Sequence, residues 1–216
     1  MCGNVIYCFQ QDVRTIRKGM FAFLKTLERE NRKSADFRDR KMNETFQCDY
    51  KRTYRKEWTF FGGRLRLLLN PALKFAYFGR KQSKIGFLNK YYRFRAKCIG
   101  KKCGLEIDYT KVGKGLVLVH PYGITINPSA IIGENVTIFK GATIGSVRSG
   151  KNKGVPTIGD RVTICCNAFV CGNVRIGNDV LIAANAFVNF DVPDNSVVIG
   201  NPGQIKHKED PSRDYL

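Results

Sequence analysis

The sequence has few histidines, no paired cysteine motif and no long apolar run. No uncharged apolar segment approaches the ~18 residues that span a bilayer. The chain does not begin with a basic segment, an apolar segment and a cleavage site, so we expect no secretory signal. The eight cysteines form no C-x-x-C pair, and we therefore expect reduced thiols in the cytoplasm. With only two histidines, His120 and His207, we expect no metal site.

Acidic residues are missing between Glu57 and Glu106, where 12 Lys and Arg residues and ten aromatic residues occur. The 216-residue chain has a net charge of +19, of which residues 1–104 carry +18 and residues 105–216 carry +1. This division predicts a basic N-terminal region and a separate C-terminal domain, with a boundary near Gly104.

Residues 58–104 have the leucine and aromatic content of helices, with Asn70-Pro71 as a helix break or a helix start. Three interpretations stay open. The segment could dock on an anionic membrane, at the inner membrane face. It could bind nucleic acid, although no recognised module occurs and we expect none bound. It could instead pack its aromatic residues on the next domain.

The sequence before this segment predicts a further helix at residues 11–34 and a polar, partly disordered stretch at residues 35–57. It suggests no function for residues 1–57.

Branched aliphatic residues recur at every sixth position in the C-terminal part. A period of six fits neither a helix nor a simple strand, but it fits a short strand plus a turn. Three such hexads, ~18 residues, predict one triangular coil of a parallel β-helix, with aliphatic side chains inside and Asn and Gly at the corners. A β-sandwich is the alternative, but ten positions in register argue against it. These positions are Ile126, Ile132, Ile138, Ile144, Ile158, Ile164, Val170, Ile176, Ile182 and Val188.

The repeat is interrupted twice. Val112, Leu118 and Ile124 share a register that is shifted by two residues from the one starting at Ile126, and His120 lies at this slip. The second interruption, from Gly145 to Pro156, is rich in glycine and lysine and lacks a core pattern. It predicts a flexible loop that leaves the coil, and loops on rigid scaffolds often carry function.

The repeat resembles the hexapeptide-repeat acyltransferases, and most closely serine O-acetyltransferases and the sugar O-acetyltransferases of polysaccharide gene clusters. This resemblance covers roughly residues 105–206. It implies a mainly β fold, a left-handed parallel β-helix preceded by a small helical region, with residues 207–216 as a tail. It also implies acetyl-CoA as donor and a homotrimer with active sites between subunits. The resemblance is carried by residues 115–133, 135–138, 141–145 and 192–203.

The resemblance implies the residues of a site. His120 matches the catalytic histidine of the family, which suits a general base because its usual pKa lies near neutrality. Glu106 matches the acidic residue that orients this histidine, and Asp108 is the alternative. The loop at residues 145–156 would cover the site as a lid. The pantetheine arm of CoA would lie along the coils, where small residues allow close approach. The matching small residues are Gly145, Ser146, Cys166 and Ala184. Candidates for the phosphate groups of CoA are Arg148, Lys151, Lys153 and Lys206.

Two departures from the serine acetyltransferase pattern bear on the acceptor. Val119 stands where those enzymes have Asp, and Gly154-Val155-Pro156 stands where their loop has Arg-His-Pro. A zwitterionic amino acid needs charged partners, whereas a neutral sugar hydroxyl does not. We therefore predict an acetyl-CoA-dependent O-acetyltransferase acting on a saccharide in polysaccharide biosynthesis. The alternatives are a serine acetyltransferase of cysteine biosynthesis, a basic nucleic-acid-binding protein and a non-catalytic scaffold.

Overall fold

A computed structural model describes residues 44–82 and 87–213. Four helices are described in this part of the chain: α1 (residues 44–54), α2 (Phe60–Leu69), α3 (Pro71–Arg80) and α4 (Phe87–Cys103). None of these helices is long and apolar enough to cross a membrane. The helix expected at residues 11–34 lies outside the described residues.

After a short 3-10 helix, Tyr109–Lys111, the chain forms thirteen short strands in three sheets. The first sheet has the order β1-β4-β7-β10-β12-β13, the second β2-β5-β8-β11 and the third β3-β6-β9. The strands are β1 Val117–Val119, β2 Thr125–Ile126, β3 Ile131–Ile132, β4 Thr137–Phe139, β5 Thr143–Gly145, β6 Thr157–Ile158, β7 Thr163–Ile164, β8 Phe169–Cys171, β9 Arg175–Ile176, β10 Val180–Ile182, β11 Phe187–Val188, β12 Ser196–Ile199 and β13 Gln204–His207.

The sheets form the predicted left-handed parallel β-helix. Thr125 pairs with Thr143, and Phe169 pairs with Phe187, so one regular coil takes 18 residues. The ten aliphatic residues of the six-residue register are each at most 3% exposed. Because full burial of such a side chain stabilises by about 1.5–3 kcal/mol, these stacked columns form the main core of the domain.

The corners use asparagine in two ways. Asn135, Asn167 and Asn185 adopt φ values of 57–59°, as the sequence predicts. Asn178 keeps a negative-φ backbone and uses its side chain instead: its Oδ1 accepts a hydrogen bond of 2.8 Å from the backbone N–H of Asp160. Equivalent bonds join neighbouring coils along the same corner, so side-chain oxygens satisfy backbone donors there.

Helix α1 corrects the expectation for residues 35–57, of which residues 35–43 lie outside the described part. A polar, partly disordered stretch is wrong for residues 44–54, which are helical. Phe46 and Tyr50 are 3% and 0% exposed and pack against Leu73. Their spacing of four puts both rings on one helical face, and this short pattern is hidden among polar neighbours.

Asn70 separates α2 from α3, as the sequence predicts. Asn70 is the C-cap residue of α2 and the N-cap residue of α3. Its Oδ1 accepts hydrogen bonds from the backbone N–H groups of Ala72 and Leu73 at 2.9 and 3.1 Å. Pro71 occupies the first turn of α3, where its missing N–H costs no helical bond. The chain therefore turns sharply between two helices.

The aromatic side chains described between residues 58 and 104 include both packed and exposed ones. Phe75 is buried and lies 5.8 Å from the ring of Tyr109, measured between centroids, so the packing interpretation is correct there. Tyr91 and Phe94 on α4 are 48% and 64% exposed.

The C-terminal end of the domain extends beyond residue 206. Strand β13 pairs antiparallel with β12 as far as His207. After it, the buried Ser212 donates a hydrogen bond from its hydroxyl to the carboxylate of Asp179. The tail expected at residues 207–216 thus packs back on the β-helix as far as this serine, and residues 214–216 lie outside the described part.

Candidate active site

His120 lies at a corner that is two residues longer than its counterpart in the next coil. Val117 pairs with Thr137, and Thr125 pairs with Thr143. The chain takes eight residues from Val117 to Thr125 but only six from Thr137 to Thr143. The predicted register slip is therefore present. His120 has a φ of 47°, a conformation that is uncommon for a residue with a side chain, and it is exposed.

Backbone hydrogen bonds hold the His120 corner in place. The Tyr122 N–H donates to the His120 carbonyl at 2.7 Å, and the Gly123 N–H donates to the Cys103 carbonyl at 3.1 Å. The His120 imidazole bonds to no other described residue. The imidazole is therefore exposed on a turn that has a positive φ and is fixed by backbone hydrogen bonds. Such an imidazole can take a proton from a bound hydroxyl group.

The two acidic candidates lie one coil earlier. Glu106 pairs with Thr125 through its backbone, and its exposed carboxylate has no partner among the described residues. Asp108 accepts a hydrogen bond of 3.0 Å from the backbone N–H of Thr110 and thereby caps the 3-10 helix. Neither carboxylate bonds to His120. The orienting role of an acidic residue stays a prediction, and Glu106 has the less engaged carboxylate.

The corner that holds His120 stacks on the corners of the following coils. Backbone hydrogen bonds of 2.9–3.1 Å join Gly141 N–H to the Tyr122 carbonyl, Asn167 N–H to the Lys140 carbonyl, and Asn185 N–H to the Cys166 carbonyl. Cys166 and Ala184 therefore lie along the same edge of the β-helix as His120. Burial raises the pKa of the adjacent Cys165 thiol, with a further contribution from Cys166.

Gly145 and Ser146 lie elsewhere, at the end of β5. Gly145 pairs with Cys171 and is half-buried, while Ser146 is exposed. The four small residues expected along a pantetheine arm thus occupy two different corners of the β-helix, two on the edge of His120 and two on the next.

A groove of about 910 Å³ lies between α4 and the first coils. It brings together Glu106 and Asp108 with Gly145 and Ser146. Its helical side carries three exposed cations that the motif reasoning did not single out: Arg93, Lys97 and Lys101. These three residues are four positions apart in the sequence, which places them on one face of the helix. That spacing could have identified them from the sequence.

The loop at residues 145–156 leaves the coil as predicted. Thr157 pairs with Ile131, 26 residues earlier, which is eight more than a regular coil requires. The backbone groups of Val147 and Gly154 exchange two hydrogen bonds of 3.0 Å and close the base of the loop. The loop is therefore a short hairpin.

Asn152 attaches this hairpin to neighbouring coils. Its side-chain Nδ2 donates to the Asn189 carbonyl at 2.6 Å, and its own carbonyl accepts from the Asn173 N–H at 3.0 Å. A role of this loop as a lid stays a prediction.

The four cations predicted to bind CoA phosphates do not form one cluster. Arg148, Lys151 and Lys153 are exposed on the hairpin. Lys206 is exposed on β13, at the opposite edge of the first sheet from β1. Among the described residues no group of three or more His, Cys, Asp or Glu side chains could hold a metal ion.

Comparison with known sequences supports the repeat. Residues 156–189 match the family described as bacterial transferase hexapeptide (six repeats). A serine acetyltransferase of Staphylococcus aureus strain Mu50 is 43% identical over 103 residues, 47% of this chain and 48% of that protein. One from Staphylococcus epidermidis strain RP62A is 40% identical over 107 residues, 49% of this chain and 50% of that protein. The chain spans about half the length of the curated relatives it matches.

Solved structures extend the similarity to most of the fold. The crystal structure of Neisseria gonorrhoeae serine acetyltransferase has a TM-score of 0.65 and 27% identity, covering 86% of this chain and 73% of that chain. This chain has the hexapeptide-repeat β-helix fold and is similar to serine acetyltransferases. The same Neisseria enzyme in complex with serine also matches this hexapeptide-repeat protein, with a TM-score of 0.65, 28% identity, and 81% and 73% coverage.

These relatives correct the predicted acceptor of the hexapeptide-repeat protein. A saccharide acceptor is wrong, because the similar sequences are serine acetyltransferases and a similar structure contains serine. The error came from weighing only Val119 and residues 154–156, since charged partners for an amino acid can also come from other elements. The relatives give no support to a glycan partner, to polysaccharide biosynthesis or to the inner membrane face.

Proposed function

We propose that this protein is an O-acetyltransferase that moves the acetyl group of acetyl-CoA to the hydroxyl group of L-serine, with His120 as the general base. One observation carries the proposal: the 43% identity over 103 residues to a serine acetyltransferase. The geometry of His120 supports it, because an exposed imidazole without a partner lies on an extended corner of the β-helix.

The proposed reaction needs three contributions from the protein. The two substrates must lie side by side, a base must take the serine hydroxyl proton, and donors must stabilise the oxyanion that forms on the thioester carbonyl. An imidazole nitrogen of His120 takes the proton as the serine oxygen bonds to the carbonyl carbon. The carbon–sulfur bond then breaks, and the imidazolium returns the proton to the CoA thiolate. The products are O-acetylserine and CoA.

The chain's other candidates take supporting roles in this proposal. Glu106 orients His120 and stabilises the imidazolium, since its carboxylate is exposed and has no described partner. The edge that carries Cys166 and Ala184 offers small side chains beside the acyl carrier. Arg148, Lys151 and Lys153 on the hairpin offer positive charge for the phosphate groups of CoA.

The proposed assembly is a homotrimer with sites between subunits. Its support is the exposure of large apolar side chains on the outside of the β-helix: Tyr122 is 62% exposed, Ile131 51% and Phe169 41%. Exposed apolar residues of this kind are often covered by a partner. Light scattering on the purified protein tests the assembly, and a particle mass of three 24.5 kDa chains is the expected result.

The experiment that tests the function measures loss of the acetyl-CoA thioester with L-serine, and identifies O-acetylserine by mass spectrometry. Wild type is compared with His120→Asn and with His207→Asn. His207 is a matched control because it is the other histidine of the chain and is exposed on β13. Removal of a general base typically lowers the rate by about 10²–10⁴-fold.

We expect wild type and His207→Asn to form O-acetylserine at similar rates, and His120→Asn to lose at least a hundredfold in kcat. Absence of O-acetylserine from a wild-type protein that binds CoA would reject serine as the acceptor. Equal rates for both histidine variants would reject His120 as the base.

A further inference from the structure

Helix α4 presents an exposed row of large apolar side chains. Leu88, Tyr91 and Phe94 are 61%, 48% and 64% exposed. Their spacing of three residues places them on one face of the helix. A different face packs on the domain, since Ala96 and Cys103 are buried in its core. The apolar stripe, as we call Leu88, Tyr91 and Phe94, therefore lies on a side of α4 that the core does not cover.

Positive charge borders the apolar stripe. Lys90 and Lys97 lie four residues before and three residues after Phe94, so they adjoin it on the helix surface, and Lys101 follows one turn later. These three lysines, the basic row, are exposed and form no ion pair with a described residue. The 17 residues of α4 include six Lys and Arg residues and no acidic residue. An external anionic surface would therefore find unneutralised charge beside apolar side chains.

This face of α4 extends beyond the groove beside the first coils. Phe94 and two lysines of the basic row line that groove, whereas Leu88, Tyr91 and Lys90 do not. A small ligand in the groove would leave the rest of the apolar stripe in water. Exposed apolar residues that form a contiguous patch mark interaction sites. An occupant that covers the whole face is therefore an extended surface and not a small molecule.

An anionic membrane matches both parts of this face. Its phosphate headgroups attract lysine ammonium groups, and its acyl boundary accepts the leucine and aromatic side chains of a helix that lies in the surface plane. No helix in the described part of the chain is long and apolar enough to span a bilayer. Contact of α4 with lipid is thus made from the surface, by one face of the helix.

Two other occupants match the face less well. A nucleic acid would attract the basic row, but its bases stack on aromatic rings and gain no stacking from Leu88. A second copy of the chain would bring together two α4 helices that each carry six cations and no anion. Like charges brought together in this way repel.

We propose that α4 docks on an anionic lipid membrane, with the apolar stripe at the acyl boundary and the basic row on the headgroups. This inference goes beyond the proposed acetyltransferase reaction, because it requires neither His120 nor the acceptor. It makes α4 a reversible membrane anchor of the β-helix domain.

The test measures flotation of the full chain with vesicles of phosphatidylcholine alone and of an equimolar mixture of phosphatidylcholine and phosphatidylglycerol. Wild type is compared with Leu88→Gln/Phe94→Gln, which removes apolar contact, and with Lys97→Gln/Lys101→Gln, which removes two charges. A DNA duplex is offered to the same proteins in parallel.

Each variant has a matched control in the β-helix domain. Ile199→Gln/Ile205→Gln replaces two apolar residues that are 45% and 41% exposed. Arg175→Gln/Lys208→Gln removes two charges from exposed positions. Circular dichroism verifies that each protein is folded, and light scattering reports its assembly.

We expect wild type and both controls to float with the anionic vesicles and not with phosphatidylcholine alone. Lys97→Gln/Lys101→Gln should bind the anionic vesicles about 25-fold more weakly, because each cation at an anionic surface contributes about fivefold. Leu88→Gln/Phe94→Gln should bind about tenfold more weakly, because less apolar surface is buried at the acyl boundary.

Wild type that stays free of the anionic vesicles overturns the inference, also where it binds the DNA duplex instead. Equal losses in a variant and its control overturn it as well, since binding then follows overall composition and not α4. A smaller particle mass for Leu88→Gln/Phe94→Gln with unchanged vesicle binding assigns the face to a second copy and likewise overturns it. If Leu88→Gln/Phe94→Gln does not fold, Lys97→Gln/Lys101→Gln and its control decide.

Discussion

Asp49 and Arg80 form a buried, bidentate ion pair that joins the helices to the first coil of the β-helix. The Arg80 Nε donates to Asp49 Oδ2 at 2.8 Å, and Nη2 donates to Oδ1 at 3.1 Å. Nη1 donates to the Val112 carbonyl and Nη2 donates a second bond to the Gly113 carbonyl, each at 2.6 Å. Asp49 Oδ1 also accepts from the backbone N–H of Leu116 at 2.8 Å.

This pair is costly to bury and more costly to break. Burial raises the pKa of Asp49, while the adjacent Arg80 and the backbone donors oppose that rise. Tyr109 adds to the cluster, because its ring lies 4.9 Å from the Arg80 guanidinium. Arg52 also bonds to the Gly115 carbonyl, which adds a second link between α1 and the first coil. The position of α4, and with it the groove, depends on this junction because α4 packs against α3.

Replacing Asp49 with Ala should therefore strongly destabilise the protein. Arg80 would remain buried without its counter-ion, and loss of one partner from a buried pair costs about 3–5 kcal/mol. Chemical denaturation followed by circular dichroism measures this change. Lys51→Ala is the control, since it breaks the exposed pair of Lys51 with Glu57 and should leave the free energy of unfolding unchanged. Similar stability of the two variants would show that the buried pair does not support the fold.

The inward column of the β-helix makes a second prediction. Ile138→Ala removes a side chain that is 0% exposed, and such a change costs about 2–5 kcal/mol through lost burial and a new cavity. Ile205→Ala is the control, because Ile205 is 41% exposed on β13 in the same sheet. Thermal and urea unfolding compare the two proteins. Equal losses of stability would contradict the assignment of Ile138 to the core.

Asn70 makes a third prediction, which concerns the turn between α2 and α3. Asn70→Ala removes the cap of α3 and should lower the free energy of unfolding by about 0.5–2 kcal/mol. Asn70→Asp keeps the accepting oxygen but loses the Nδ2 donor, which bonds to the Tyr54 hydroxyl at 2.7 Å. We expect the Asp variant to be more stable than the Ala variant in urea titrations. The reverse order would contradict a stabilising cap, since the Ala variant lacks both the cap and the bond to Tyr54.

The six-residue period made the β-helix predictable, because each buried position repeats a local pattern. Ile132 and Ile158 follow that pattern and pair in one sheet although eight extra residues intervene. The extra residues at the His120 corner were visible for the same reason, as a shift of the register. The site edge that carries Cys166 and Ala184 follows directly from stacking the coils.

The junction and the groove could not be predicted in this way. Asp49 and Arg80 are 31 residues apart, and neither belongs to a repeat. The charges of α4 were visible only as a basic composition, because the groove that Arg93, Lys97 and Lys101 line forms only when the helix lies on the first coil. The preference for a saccharide failed because it considered only the charges next to the motif.

The hairpin at residues 145–156 makes the last prediction. Asn152 holds the hairpin through its side-chain bond to the Asn189 carbonyl, so Asn152→Ala should free the tip. The exposed Arg148, Lys151 and Lys153 are trypsin sites on this hairpin. Cleavage there requires local opening, and loss of the bond raises the population of open states.

Limited trypsin digestion followed by mass spectrometry measures this opening. We expect cleavage at the three hairpin sites to be several times faster in Asn152→Ala than in wild type, while sites on the α4 helix are cut at unchanged rates. Ser149→Ala is the control, because Ser149 is exposed on the same hairpin. Faster cleavage at α4 as well would indicate global destabilisation. Unchanged hairpin cleavage would mean that the backbone hydrogen bonds, including the one from the Asn173 N–H to the Asn152 carbonyl, are enough to hold the loop against the coil.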